Sequence, residues 1–241
     1  MRITLVFIII FSFLSSNLDA QEADEKQAST FNIVINQDNA FGFYPSVFGS
    51  FGLSDRLSFT YYSIFWTNPS YGNLVNGTDI WLEMGIGVGF PLLDDKIYLN
   101  PSLGTTHGRL LSDAPKGEIF EGLVPSIALF YLDERFEGEA FAAYYKVIKT
   151  KSANSGDYLL YWILPGVVLS PNISLGLHYE SFVNTWLSEG EGSTFYQWFG
   201  GYFKFTVNDK YTFRFSAGTN TADNPQYSGQ FYKLNVVIPL E

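Results

Sequence analysis

The segment Thr194–Asn220, TFYQWFGGYFKFTVNDKYTFRFSAGTN, decides the fold class. Phe199, Gly201, Phe203, Phe205 and Val207 fall on one parity, and Trp198, Gly200, Tyr202, Lys204 and Thr206 fall on the other. A period of two over this length is a β-strand with one apolar face. After Asn208-Asp209-Lys210 the alternation resumes, with Tyr211, Phe213, Phe215 and Ala217 set against Thr212, Arg214, Ser216 and Gly218. Two strands joined by three turn-forming residues predict an antiparallel hairpin. With that turn, Val207 faces Tyr211 and Lys204 faces Arg214. One face is aromatic and uncharged; the other carries Gly, Thr, Ser, Lys and Arg. A soluble barrel points its large residues inward, whereas a membrane barrel inverts the arrangement and lines its interior with small and polar residues.

The same unit recurs along the chain. Tight polar turns occur at Ser54-Asp55-Arg56, Leu93–Lys96, Leu132–Arg135, Ser170-Pro171-Asn172 and Asn208-Asp209-Lys210, so their last residues recur every 37–40 positions. A fixed period reports one repeated structural unit, here two strands, a tight turn and a longer loop. The longer segments are Thr67–Gly77, Arg109–Glu118, Lys149–Gly156, Leu187–Ser193 and Thr219–Gly229. Alternation places strands at 30–37, 42–53, 57–66, 78–92, 97–107, 119–131, 136–148, 157–169, 173–184, 195–207, 211–219 and 229–240. The expectation is an all-β, antiparallel up-and-down transmembrane barrel of about twelve strands, with short periplasmic turns and longer extracellular loops. The first strand has the weakest pattern, which leaves ten strands as the alternative.

Composition and the amino-terminal residues point the same way. Met1-Arg2 precedes the uncharged, mostly apolar run Ile3–Leu14, and Ser15–Ala20 is polar and ends on a small residue. That is the layout of a secretory signal peptide over residues 1–20, with the run too short for a spanning helix. Residues 21–29 read as a flexible periplasmic leader and 30–241 as a single barrel domain. The net charge is −10, which argues against nucleic acid as a partner. The absence of cysteine excludes disulfides, thiol chemistry and cysteine metal sites. Aromatic residues make up 18% of the chain, with 22 glycines, a composition that suits strands meeting a membrane interface.

The outward parity reads Leu57, Phe59, Tyr61 and Phe65, then Ile80, Leu82, Met84, Ile86, Val88 and Phe90, and continues through Ile173, Leu175, Leu177 and Tyr179 to Leu234, Val236, Ile238 and Leu240. No Lys, Arg, Asp or Glu interrupts it, as lipid contact requires. The inward parity carries Ser58, Thr60, Glu83, Gly85, Gly87, Gly89, Asn100, Ser102, His178, Glu180, Lys204, Arg214, Lys233 and Asn235. Glu137 and Glu139 are placed inward by their charge. A soluble sandwich or lipocalin-like barrel shares the alternation, but these strands exceed the usual ~5–6 residues. Pro45, Pro101, Pro125, Pro165 and Pro239 lie inside strands, where proline sits badly.

The stretches FGFYPSVFGSFGLSD from Phe41, FWTNPS from Phe65, GIGVGFPLLDDKIYLNP from Gly85 and EGLVPSIALFY from Glu121 carry a resemblance. They are similar to a family of bacterial outer-membrane-type barrels known mainly as a domain of unknown function. The resemblance runs across most of the chain after the signal peptide and implies a barrel in the outer membrane, with no catalytic or binding residues to transfer. One departure stands out: the chain ends Ile238-Pro239-Leu240-Glu241, where such barrels often end in an aromatic residue read by the assembly machinery.

Candidate chemistry is sparse. The two histidines, His107 and His178, lie in no lipase-like or deacylase-like motif, and His178 beside Glu180 reads as a satisfied lumen pair. The expectation is therefore not an enzyme, with neither metal nor cofactor. Two like charges across a ladder repel, so Lys204 and Arg214 call for counter-charges nearby. The expected lumen cluster is Lys204, Arg214, Glu180, His178 and one of Glu137 and Glu139, with Glu83 and Lys233 as further lumen candidates. Three functions fit: a narrow porin-like channel for small solutes first, a structural or adhesive barrel with a packed lumen second, and a barrel enzyme acting on lipid last. Expected partners are outer-membrane lipid and lipopolysaccharide and the barrel-assembly machinery.

Overall fold

The computed structural model describes residues 29–66, 81–112, 117–149, 155–188, 190–223 and 229–240, and the described residues form twelve strands and no helix. They are β1 (Ser29–Asp38), β2 (Gly42–Ser54), β3 (Leu57–Trp66), β4 (Trp81–Leu92), β5 (Ile97–Gly108), β6 (Glu118–Leu132), β7 (Phe136–Val147), β8 (Gly156–Ser170), β9 (Ile173–Leu187), β10 (Thr194–Val207), β11 (Tyr211–Asn220) and β12 (Gln230–Leu240). Each pairs antiparallel with its sequence neighbours, and β1 pairs with both β2 and β12, so the sheet closes into a barrel. Ten strands are thereby excluded, and the weakly patterned first strand is the one that completes closure. The expected signal peptide at 1–20, nearly all of the leader at 21–29, the segment Thr67–Gly77 and Ile80 lie outside the described residues.

The defining hairpin has the register its alternation implies: Val207 faces Tyr211 and Lys204 faces Arg214. Asn208 and Asp209 both take positive φ, 53° and 54°, and Lys210 N–H bonds the Val207 carbonyl at 3.1 Å. Two consecutive left-handed residues make the turn whose twist matches the flanking strands, and Asn and Asp tolerate that conformation best. Asp94-Asp95 repeat the device between β4 and β5. These turns define a turn end of the barrel; the longer connections define a loop end. One connection at the loop end is short: Asn39–Phe41, between β1 and β2.

The apolar parity faces out. Ile86, Leu103, Ile127, Ile163, Leu177, Phe199 and Phe215 are among the exposed large hydrophobic residues. Inside, small residues make lanes for tyrosines. Tyr202 on β10 lies over Gly176 on β9 and Gly166 on β8, where any Cβ would overlap its ring or hydroxyl, and reaches Glu137 on β7 with a 2.8 Å hydrogen bond. Tyr62 lies likewise over Gly85 and Gly104, and Tyr98 over Gly89 to meet Ser58 at 2.9 Å.

The prolines have a common solution. Pro101 keeps its place opposite Ile127, but the β4–β5 ladder is joined at Gly87–Ser102 and Phe90–Leu99 and not between them. Pro125 does the same on the β6–β7 side and Pro165 on the β8–β9 side, in each case without a change of register. Pro45 and Pro239 sit just beyond the ends of the β2–β3 and β11–β12 ladders. Each proline keeps one neighbouring strand and forgoes pairing on the side its missing N–H would have served.

Candidate functional site: the lumen

Inward side chains stack in three layers along the barrel. Nearest the turn end, two cations on adjacent strands, Lys204 on β10 and Arg214 on β11, both reach β7. Lys204 Nζ bonds Glu137 Oε2, and Arg214 Nη1 bonds Glu139 Oε2 at 2.6 Å. Ser174 Oγ donates to Glu137 at 3.1 Å and Trp162 Nε1 to Glu139 at 2.8 Å, so both carboxylates keep further partners. The cation side chains stay partly open to solvent, Lys204 at 27% and Arg214 at 18%.

The middle layer is dry. Glu180 accepts Lys233 Nζ at 2.7 Å and the Tyr196 hydroxyl at 2.8 Å, and its Oε2 lies 3.2 Å from His178 Nε2. Lys233 also stands 3.9 Å from Asp38 and over the Trp162 ring. A buried ion pair gains from such extra hydrogen bonds, because they offset the desolvation of both charges. His178 Nδ1 lies 3.0 Å from Ser216 Oγ, which completes a Ser–His–Glu chain. All three residues are at most 2% exposed, and the Glu180 oxygens are already committed to Lys233 and Tyr196. In this conformation the three residues are packed inside the lumen, with none of their side chains open to solvent.

The loop-end layer is aromatic. Phe41, Tyr44, Trp66, Tyr158, Phe182, Tyr196, Trp198 and Phe231 belong to one buried cluster. Trp198 stacks between Tyr196 and Phe231, at centroid distances of 4.1 and 4.8 Å. Two tyrosines tie this layer to the one beneath: Tyr196 donates to Glu180, and Tyr44 donates to Asp38 at 2.9 Å. Phe41 enters the cluster from the short β1–β2 connection, and Leu110 and Leu111 enter it from the connection after β5.

The structure places all the expected lumen residues inward but sorts them differently. Glu137 and Glu139 both carry a cation, where one of the two was expected. Glu180 and His178 do not join Lys204 and Arg214. Lys204 faces Ser174 in the β9–β10 ladder, and Glu180 lies six residues further along β9, about 20 Å at ~3.3 Å per residue. Lys233, expected only as a further lumen residue, is the partner of Glu180. Glu83 stands apart, fully buried and held by the Tyr62 hydroxyl at 3.0 Å and Trp66 Nε1 at 3.2 Å. His107 faces out at the loop end of β5, 3.0 Å from Thr105 Oγ1.

Three acidic residues escaped the sequence reading. Asp38 ends β1 and takes the N–H groups of Ala40 and Phe41. A turn-opening aspartate was the available signal, since Asp133 binds Arg135 and Phe136 N–H in the same way. Glu121 gave no signal: Phe120 adopts φ 57°, and a register shift there breaks the parity from which burial is read. Asp157 bonds Val147 N–H and Lys146 Nζ between β7 and β8. No group of three or more potential metal ligands occurs among the described residues.

Solved structures of similar shape come from the outer membrane. A structure of the NanC porin aligns with a TM-score of 0.52 at 9% identity, over 87% of this chain and 100% of that one. An outer-membrane channel from Pseudomonas putida F1 aligns at 0.50 with 13% identity, over 92% of this chain and 100% of its own. At such identities the likeness is one of fold. No curated protein matches the chain in sequence. The family does: a model described as "Family of unknown function (DUF6733)" matches residues 1–240, and the chain belongs to that family.

Proposed function

We propose that the chain is an outer-membrane channel for small solutes, narrow and charge-lined, and shut near its loop end in this conformation. The orientation follows from the short turns, which are periplasmic, and the longer connections, which face outward. Lipopolysaccharide then surrounds the loop end, and the barrel-assembly machinery inserts the chain.

The observation that carries this reading is the set of tyrosines lying flat over glycine lanes. Tyr62, Tyr98 and Tyr202 run along the wall instead of across the lumen, and the charges of the turn-end layer stay partly wet beside Tyr202. About eight strands are just wide enough for side chains to fill, so twelve leave extra width, and tyrosines laid along the wall keep that width clear instead of filling it. A charge-lined passage selects solutes by sign, so Lys204 and Arg214 are its selecting cations.

A second reading, a barrel with a permanently packed lumen, is favoured by the aromatic layer, in which Tyr196 and Trp198 are at most 1% exposed. Planar-bilayer conductance of the refolded protein separates the two. The channel gives discrete openings; silence from correctly folded protein supports the packed barrel.

A further inference from the structure

Two buried carboxylates bond the backbone of the connections that fill the loop end, and Asp38 also stands 3.9 Å from Lys233. Asp38 Oδ1 accepts Ala40 N–H at 2.9 Å and Phe41 N–H at 2.6 Å, while its Oδ2 accepts the Tyr44 hydroxyl. Glu121 accepts Leu110 N–H at 2.8 Å, Leu111 N–H at 3.0 Å and Ser112 Oγ at 2.7 Å. Both residues are at most 1% exposed. The side chains so placed meet each other: Phe41, Leu110 and Leu111 line one small void with Trp66, Tyr158 and Phe182. Glu137, Glu139 and Glu180, by contrast, spend their oxygens on Lys204, Arg214 and Lys233.

We infer that Asp38 and Glu121 are the latches of an outer gate whose movable tips are Phe41 and Leu110-Leu111. The inference rests on the channel reading above. The tips belong to connections and not to the ladder; withdrawal of Leu111 breaks one backbone bond, Gly156 N–H to the Leu111 carbonyl at 2.9 Å, but no pair of the ladders. Gly42, at φ 70°, supplies the bend that turns Phe41 back toward the lumen. A carboxylate bonded to backbone N–H groups holds a tip strongly, and withdrawal leaves the oxygens that held the tip short of donors until water follows. The arrangement therefore has two states, latched and dry or withdrawn and wet, with little between them.

The test measures open probability in a planar bilayer, in potassium chloride, for protein refolded from each variant. Asp38→Asn and Glu121→Gln keep shape and remove charge; Asp157→Asn is the control, a buried carboxylate that joins β7 to β8. Each latch variant is expected to open about tenfold more often, the effect of losing one charge-assisted hydrogen bond, with Asp157→Asn unchanged. Equal behaviour of all three variants overturns the latches. In the otherwise unaltered chain, Phe41→Cys with Leu111→Cys gives a second reading that touches neither carboxylate. Bridging the tips with a short bifunctional thiol reagent should stop the openings, and openings that persist overturn the gate. If every protein is silent, including Phe41→Ala with Leu111→Ala, the channel reading itself falls. If that double alanine variant conducts while the latch variants match wild type, the channel stands and the latches do not.

Discussion

Tyr202 owes its position to two residues that have no side chain. Its ring crosses Gly176 and its hydroxyl lies where a Cβ of Gly166 would be, so the tyrosine can lie against the wall and still reach Glu137. Gly176→Val should cost about 1–3 kcal/mol by overpacking. Gly201→Ala, whose new atom meets only the Gly176 carbonyl at 3.4 Å, should stay within about 0.5 kcal/mol. Urea unfolding midpoints of the two refolded variants check the contrast. Asp133, in the β6–β7 turn, offers a pH test. The Tyr131 hydroxyl at 2.5 Å, then Arg135 and Phe136 N–H, bring its carboxyl from 3.8 to about 2. A folded-state value below the unfolded one adds stability above pH ~4, and that stability is lost as pH falls toward 2. Asp133→Asn should therefore flatten the pH dependence of the unfolding midpoint between those limits. Unchanged steepness would show that other carboxylates govern it.

At the scale of the element, the strands were legible because one face had to be apolar without interruption. A period of two then fixes both register and facing, as the Lys204–Arg214 pairing shows. Legibility ended where a side chain's height along the barrel decided its partner. Strand parity says that Glu180 points inward, but not that it stands six residues above the level of Lys204. It ended too at Glu121, where the Phe120 irregularity resets the alternation, and at Phe41, an apolar residue in a connection that nothing local marks as lumen-filling. The prolines read as obstacles because sequence shows a strand and not its two sides; each serves one ladder and ends or interrupts the other. The least patterned strand is also the closing one. Deleting Ser29–Asp38 should leave β2 and β12 as open edges. The deletion protein should lose the compact, faster-migrating form on gels run without boiling. Retention of that form would mean that β2 and β12 can close without β1.

For the whole molecule, the three layers form a sequence from wet charge through buried ion pairs to an aromatic lid, and the orientation decides which compartment each one meets. With no cysteine in the chain, single cysteines report topology without background. Asp223→Cys at the loop end should react with an impermeant thiol reagent on intact cells, and Asp95→Cys at the turn end should not; the reverse labelling would invert the assignment. On the channel reading, solutes pass the Lys204 and Arg214 layer. The most direct measurement is the reversal potential across a bilayer holding the Lys204→Glu variant in a potassium chloride gradient. Replacing the cation facing Glu137 with an acid should move selectivity clearly toward potassium relative to wild type. A conducting variant whose reversal potential matches wild type would contradict the claim, because current would then be passing elsewhere than this layer.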